Sequence, residues 1–351
     1  MSHHQRPGAS GWLAAVAALC AAVTSPLPCQ ADGFIETFDD DPVAAGRFLL
    51  HDEPGDASRF LHDGGTLTAK YDTSLPTARL VRPLGHTLTH NDSFSYRAVF
   101  IIKSDGFEAH DEFIGQIAFG LMNATTTGPG RVRGLGGGAF DLVSFDYFPN
   151  ITEYGGPSLG TTIINSDTGS FAGAINFEFG AETEMNNAGE SELPFDTPLT
   201  AEITYNGDTG QAIVRVIQGA AALPINAVGK YFLPGGLDGD ATTIVTTLDG
   251  VGFVVDTFAL ALWHDPTAPF PDEPALIADV VFDSLRACWP SFGDFDGDCD
   301  VDQDDFGVFQ ACASGPAVPL APGCEGFDVD GDDDVDQADF GQFQVMITGP
   351  R

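Results

Sequence analysis

The sequence predicts a mainly β protein: a large β-sandwich or barrel, followed by a small module with two short helices. Between residues 67 and 285, many short segments alternate apolar and polar residues, and Gly, Pro, Asn, Asp and Thr fill the gaps between them. Near the C-terminus an aspartate-rich loop of about twelve residues occurs twice. Each copy is followed by an apolar stretch that stops at Gly-Pro, as a short helix does.

The first 31 residues have the pattern of a secretory signal peptide. A polar start precedes a continuous apolar run at 12–23, and a small-residue cleavage site follows at Ala31. The apolar run is too short for a permanent membrane anchor. We therefore expect a chain that is secreted to the extracellular space or cell surface, with no membrane span.

Residues 32–287 read as one β domain of the sandwich or barrel type. Asn206-Gly207 supplies the turn of a hairpin between two alternating segments. The segments expected to be strands are 67–71, 94–102, 114–122, 140–148, 201–205, 212–216, 251–255, 258–263 and 277–285.

The order of these features resembles the jelly roll of concanavalin A-like lectins and glucanases. A Glu-Thr-Phe-Asp opening at 36–39 is matched by a closing strand at 278–283, and a Phe-Asp-Tyr-Phe-Pro-Asn stretch spans 145–150. The resemblance implies metal ligands at Asp146 and Asn150, although Ser144 stands where that family carries Glu. The alternative is that these two residues only finish an edge strand.

A structural calcium between the first and last strands is also implied by this resemblance. Its candidate ligands are Glu36, Asp39 and Asp283. Ordinary surface carboxylates are the alternative in a chain with 51 acidic and 14 basic residues.

No catalytic residue is predicted. The Glu-x-Asp-x-x-Glu strand that brings carboxylates together in glucanases of this fold is absent from the sequence. His-Glu-x-x-His is absent as well. The sequence therefore favours a binding protein over an enzyme.

The duplicated loops predict two calcium sites. The copies are 34 residues apart (328 − 294), and both carry Asp at positions 1, 3, 5, 7, 9 and 12. A hard cation takes oxygen ligands at this spacing, with the backbone carbonyl at position 7. The candidate ligands are Asp294, Asp296, Asp298, Asp300, Asp302, Asp305, Asp328, Asp330, Asp332, Asp334, Asp336 and Asp339.

This duplication, at 293–351 beyond a short linker at 288–292, resembles a type I dockerin, an attachment module with EF-hand-type loops. The resemblance implies a cohesin-like protein partner. Position 6, usually Gly, holds Cys299 and Asp333. Positions 10 and 11, which often carry Ser-Thr in dockerins, hold Gln303-Asp304 and Gln337-Ala338.

Four cysteines remain after the predicted cleavage, all in or beside the small module. An even number in an exported protein predicts two disulfides, and three pairings are open. We favour Cys312 with Cys324 and Cys288 with Cys299. A zinc site is the alternative, although no Cys-x-x-Cys pair is present.

The formal net charge of −37 excludes the partners that need a basic surface, namely nucleic acid and anionic membranes. Calcium and a neutral or cell-surface polysaccharide remain. The sequence thus predicts a secreted calcium-binding protein with a lectin-like, carbohydrate-binding sandwich and an attachment module. The alternative is a tethered glycoside hydrolase or polysaccharide lyase, since dockerins usually tether such enzymes.

Overall fold

This computed structural model describes residues 33–51, 56–72, 74–104, 116–124, 141–149, 158–164, 179–180, 193–223, 244–247, 252–263, 277–289, 293–295, 300–322, 324, 327–328 and 330–347. They fall into two compact units, one within 33–289 and one within 293–347. The predicted signal peptide lies outside the described residues, as do Asp296, Asp298, Cys299 and Asn150.

The first unit is built from strands, with one 3₁₀ turn at Asp56–Arg59. The strands are β1 Gly33–Glu36, β2 Leu49–Leu50, β3 Phe60–His62, β4 Leu67–Asp72, β5 Ala78–Thr89, β6 Phe94–Ile102, β7 Gln116–Met122, β8 Leu142–Phe148, β9 Ser158–Ile164, β10 Phe179–Gly180, β11 Pro198–Asn206, β12 Gln211–Gln218, β13 Ala221–Ala222, β14 Ile244–Thr247, β15 Val254–Trp263 and β16 Ile277–Cys288.

These strands form two antiparallel sheets. Sheet A has the order β13-β12-β11-β6-β16-β4-β3, with β1 also paired to β16 and β14 to β12. Sheet B has the order β10-β9-β8-β7-β15-β5-β2. Neighbouring strands in each sheet come from distant parts of the chain, as in a jelly-roll sandwich. The mainly β fold that the sequence predicts is therefore confirmed.

The core of the sandwich lies between the inward faces of the two sheets. On β11 the alternation is direct, with Leu199, Ala201 and Ile203 buried while Glu202 faces outward. Sheet B differs because β7 and the last seven residues of β15 are buried on both faces. Its outward face carries a second apolar cluster, whose members are Val81, Ala118, Met122, Leu142, Ala259, Ala261 and Trp263.

The second unit contains two short helices, α1 Gln303–Cys312 and α2 Gln337–Met346. The fully buried apolar side chains of its own core are Val301, Phe309, Val335 and Phe343, and five more apolar residues pack against them. Phe295 and Phe327 have ring centroids 4.2 Å apart, so aromatic contacts join segments next to the two loops. No helix in the described part of the chain has the length and apolar character needed to cross a membrane.

Cysteine bonding is visible in both units. Cys312 at the end of α1 is joined to Cys324 by a disulfide, which is the pairing that the sequence analysis favoured. Cys288, at the end of β16, is also disulfide-bonded. Its expected partner, Cys299, lies outside the described residues.

Candidate metal centre

The ends of the two aspartate loops are fixed by the helices that follow them. Asp302 caps α1, where it accepts a hydrogen bond from the Asp304 N–H, and the Asp305 side chain accepts one from the Asp302 N–H at 2.8 Å. Asp336 and Asp339 form the same reciprocal capping box at α2. Loop positions 9 and 12 are therefore held together by the start of each helix.

In the first loop three carboxylates converge. Asp300, Asp302 and Asp305 each offer an oxygen within 4.8 Å of the others. Asp305 is fully buried, and Asp294 at position 1 is buried as well. The Phe295 N–H donates to Asp305 Oδ1 at 2.6 Å, which ties the beginning of the loop to its last position.

In the second loop two groups of carboxylates converge. One contains Asp328, Asp330 and Asp332, and the other contains Asp334, Asp336 and Asp339. Partial desolvation raises the pKa of Asp330, and the charges of Asp332, Asp339 and Asp328 raise it further. The Asp330 N–H also donates to Asp339 Oδ1 at 3.4 Å, which joins the two groups into one acidic site.

The backbone of the second loop turns as the spacing predicts. Asp328 accepts hydrogen bonds from the N–H groups of Gly331, Asp332 and Asp333. Gly331 and Asp333 have φ angles of 76° and 68°, in the left-handed region. Position 6 therefore makes its sharp turn with Asp in place of Gly.

The donor set fits a hard divalent cation. Its side-chain donors are carboxylate oxygens, and within 293–351 the sequence offers one basic residue, Arg351, against 15 acidic ones. Asp334 is 4% exposed, and its Oδ1 has no hydrogen-bond partner within the described part of the chain. A buried carboxylate oxygen of this kind is costly unless a cation or a donor reaches it.

The sandwich candidates for metal binding are arranged differently. Glu36 is buried, accepts a hydrogen bond from the Phe38 N–H, and forms an ion pair with Arg47 at 2.7 Å. Asp39 accepts a hydrogen bond from Thr37, while Asp283 is exposed at a bulge in β16. In the part of the chain that the structure describes, these three carboxylates do not form a convergent group.

Asp146 lies on the outward face of sheet B, because its neighbours Phe145 and Tyr147 point into the core. It is fully buried and accepts a hydrogen bond from Ser144 at 2.9 Å. Its proposed companion, Asn150, lies outside the described residues. On the core side of β8, the Tyr96 hydroxyl donates to the Val143 carbonyl at 3.2 Å. Burial, followed by the charge of Asp146, raises the pKa of Tyr96 well above its usual range.

Further polar groups share this face, and the sequence analysis did not single them out. Arg79 is 1% exposed and lies over the Trp263 ring at 5.7 Å. Gln116 is paired with Trp263 across β7 and β15, and Thr162 is paired with Ser144 across β9 and β8. Alternation along each strand predicts which residues face outward. It does not predict the register in which the strands pair, and that register places these residues on one face.

No family model matches this sequence, and no curated protein does. Solved structures do match. Basic winged bean lectin with Tn-antigen is 14% identical, with a TM-score of 0.43 over 75% of this chain and 100% of the lectin chain. Alginate lyase Aly36B with alginate trisaccharide is 11% identical, with a TM-score of 0.43 over 75% of this chain and 100% of that chain.

A legume lectin-like domain from Entamoeba histolytica is 8% identical, with a TM-score of 0.42 over 74% of this chain and 97% of that chain. At identities this low, these similarities concern the course of the chain in the sandwich and do not identify a ligand.

Proposed function

We propose that this protein is an exported calcium-binding protein whose β-sandwich binds polysaccharide and whose C-terminal module, 293–351, attaches or stabilises it. The observation that carries the calcium proposal is the convergence of carboxylates in both copies of the loop. Asp300, Asp302 and Asp305 correspond residue by residue to Asp334, Asp336 and Asp339, at the offset of 34. Surface acids gathered by chance would not repeat in this way.

Calcium is the cation that this arrangement suits best. Many carboxylates in flexible, loop-borne positions match the six to eight oxygen ligands that calcium takes, whereas magnesium keeps a small octahedral shell with several waters. Asp305 and Asp339 also hold the helix starts through their capping boxes. Metal binding would therefore be coupled to folding of the helices.

Calorimetric titration of the calcium-depleted full chain tests this proposal. Two sites are expected, with Asp305→Asn removing one and Asp339→Asn removing the other. Asp333→Asn is the matched control, because it removes a loop charge while Asn accepts the left-handed conformation at this position. Absence of calcium-dependent heat, or equal loss in the control, would refute the calcium proposal.

The carbohydrate part of the proposal is supported by the outward face of sheet B. Ser144, Asp146 and Thr162 lie on β8 and β9 beside small residues, and beyond β7 the same face carries Trp263 on β15 and Arg79 on β5. Carbohydrate sites commonly combine an aromatic surface with a few placed hydrogen-bonding groups. We assign glycan recognition to this face, and because Asp146 is fully buried we give it a positioning role there rather than a direct contact with the sugar.

Affinity electrophoresis on a panel of neutral plant and algal polysaccharides tests this assignment. Retardation by at least one polysaccharide is expected for the wild-type chain, and Asp146→Asn should abolish it while the melting temperature stays close to wild type. Glu202→Gln on the outward face of sheet A is the control, since it removes one carboxylate from the other sheet. Equal retardation of both variants would exclude Asp146 from recognition.

Polysaccharide cleavage is the second candidate function. Hydrolysis by the usual route needs two carboxylates flanking the scissile bond. The described portions of β5, β7, β8, β9 and β15 carry two carboxylates, Asp146 and Asp256. They do not flank one point, because Asp256 lies five residues along β15 from Ala261, the residue that stands across β7 from Asp146. This favours binding. Release of reducing ends or unsaturated products by the wild-type chain, lost in Asp146→Asn, would decide for the enzyme.

The attachment role rests on the helices of the module. Gln303, Asp304, Gln337 and Ala338, at loop positions 10 and 11, are all exposed at the starts of α1 and α2. We propose them as the contact surface for a cohesin-like partner. Pull-down with immobilised cohesin domains in calcium, repeated in chelator, is the direct measurement.

A further inference from the structure

We infer that the Cys312–Cys324 disulfide and Ser314 position the second aspartate loop, 328–339, for its cation, and that this crosslink does not act on the first loop, 294–305. This inference rests on the proposed calcium function and adds to it a difference between the two sites. The loops are nearly identical in their ligand positions. A difference in affinity must therefore come from what surrounds them.

The middle of the second loop is bonded to the segment that follows α1. The N–H groups of Ser314 and Gly315 donate to the Val335 carbonyl at 3.0 and 3.1 Å. The Val335 N–H donates to Ser314 Oγ at 3.1 Å, and the Ala317 N–H donates to Asp334 Oδ2. Loop positions 7 and 8 thus have their backbone and side chain set by residues just after Cys312.

The start of the second loop depends on the other half of the disulfide. The Phe327 N–H donates to the Cys324 carbonyl at 3.1 Å, and Asp328 is the next residue. Phe327 also packs against Phe295 and Phe309 in the core of the module. The disulfide therefore crosslinks the segment that sets the middle of the loop to the segment that sets its first ligand.

Asp334 shows what this arrangement does for the site. One of its oxygens accepts from Ala317, and the other, Oδ1, is buried without a hydrogen bond in the described part of the chain. Asp334 offers a ligand atom within 4.8 Å of those of Asp336 and Asp339. A carboxylate held this way before the cation arrives costs less ordering on binding.

The disulfide also lowers the ordering cost of calcium binding, because it restricts the chain before calcium is bound. Joining residues 12 apart in sequence restricts the conformations of the connector between α1 and the second loop. This particular crosslink is not repeated after α2, because Met346 stands at the position that matches Cys312. Thr348 matches Ser314, so the hydroxyl is common to both copies while the disulfide is not.

The test is calorimetric titration of the full chain with calcium, one loop at a time. Asp305→Asn leaves the second loop to titrate, and Asp339→Asn leaves the first. Replacing Cys312 and Cys324 together by Ser should lower the affinity of the second loop by about tenfold or more, and that of the first by less than about twofold. Ser314→Ala should also weaken the second loop, and Ser314→Thr should restore it.

Equal weakening of both loops, or no weakening of either, would overturn the inference while leaving the proposed calcium function intact. The disulfide-free chain cannot be used to measure affinity if it loses its helical circular dichroism at saturating calcium. In that case the affinities of Ser314→Ala and Ser314→Thr test whether the segment after α1 positions the second loop, since both variants keep the crosslink. A wild-type chain that binds no calcium refutes the proposed function and this inference together.

Discussion

At the scale of single residues, the module uses aspartate for three different tasks. Asp336 caps α2 and is also a candidate ligand, and Asp333 makes a left-handed turn in which glycine is usual. Asp334 is a buried carboxylate with one oxygen bonded to Ala317. Similar side chains at neighbouring positions therefore differ in what a substitution would cost.

Asp334→Asn should have opposite effects with and without calcium. Without the cation the buried charge is unfavourable, so the helical circular dichroism that remains in chelator should rise. With the cation, loss of the charge should lower the affinity of the second loop by about tenfold, which corresponds to about 1.4 kcal/mol. A change of the same sign in both conditions would contradict this account of Asp334.

Asp279 on β16 should make the sandwich sensitive to pH. Burial raises its pKa, and Lys70 opposes this only in part. Since the folded state binds this proton more tightly, the contribution of Asp279 to stability is present below its ordinary pKa of about 3.9 and is lost as pH rises through the raised value. Asp279→Asn should therefore raise the melting temperature at pH 7, with no gain near pH 3.

The exposed Asp283 on the same strand provides the control for this pH experiment. Asp283→Asn removes one negative charge from the strand without relieving a buried carboxylate. Thermal melts of both variants across the pH range separate the effect of burial from that of net charge. Equal gains in the two variants would show that net charge alone is responsible.

At the scale of elements, β5 shows why part of the fold was hidden in the sequence. This strand runs from Ala78 to Thr89 but contains Pro83 and Gly85, which normally signal a turn. The structure accommodates both residues at a bulge, where the pairing of β15 shifts between Val255 and Thr257. Strand β6 carries unbroken alternation, and the starting residues of β6 and β16 match the prediction.

The pairing of β7 with β8 depends on a residue without a side chain. Gly120 has a φ of 148°, and a Cβ there would lie 2.4 Å from the Val143 carbonyl oxygen and 2.7 Å from Ser144 Cα. Gly120→Ala should lower the free energy of unfolding of the sandwich by about 3 kcal/mol. Chemical denaturation, followed by tryptophan fluorescence, is the measurement.

Gly219→Ala is the control for Gly120. Gly219 is also left-handed, with a φ of 61°, but no atom lies within 4 Å of the position its Cβ would occupy. Gly219→Ala should lower the free energy of unfolding by only about 1 kcal/mol, because the left-handed backbone conformation is the only penalty there. Similar losses at the two positions would mean that the close approach at Gly120 is not what restricts it.

At the scale of the whole molecule, the sequence was informative wherever a feature is local. The loop spacing, the helix ends and the alternating strands depend on residues within about a dozen positions of each other. The set on the outward face of sheet B does not, because Arg79, Ser144, Thr162 and Trp263 come from four strands whose order and register are set by the whole core. The same holds for Glu36, whose carboxylate also lies 3.6 Å from Arg82 on β5.

Removing calcium should unfold the module and leave the sandwich folded. The module's formal charge is −14, from one basic and 15 acidic residues (1 − 15), so its carboxylates repel one another without a cation. Calcium at 100 times its Kd would contribute about 2.7 kcal/mol per site. Two sites then supply much of the roughly 3–9 kcal/mol expected for a module of this size.

The two units can be followed separately in one chelation experiment. Both α-helices of the described residues lie in the module, and Trp263 and Trp289 lie in the sandwich. Adding chelator should therefore abolish the helical circular dichroism while tryptophan fluorescence stays native. High salt should restore part of the helical signal by screening the carboxylates, because exposed charges are screened most strongly. Simultaneous loss of both signals would mean that the sandwich itself requires the cation.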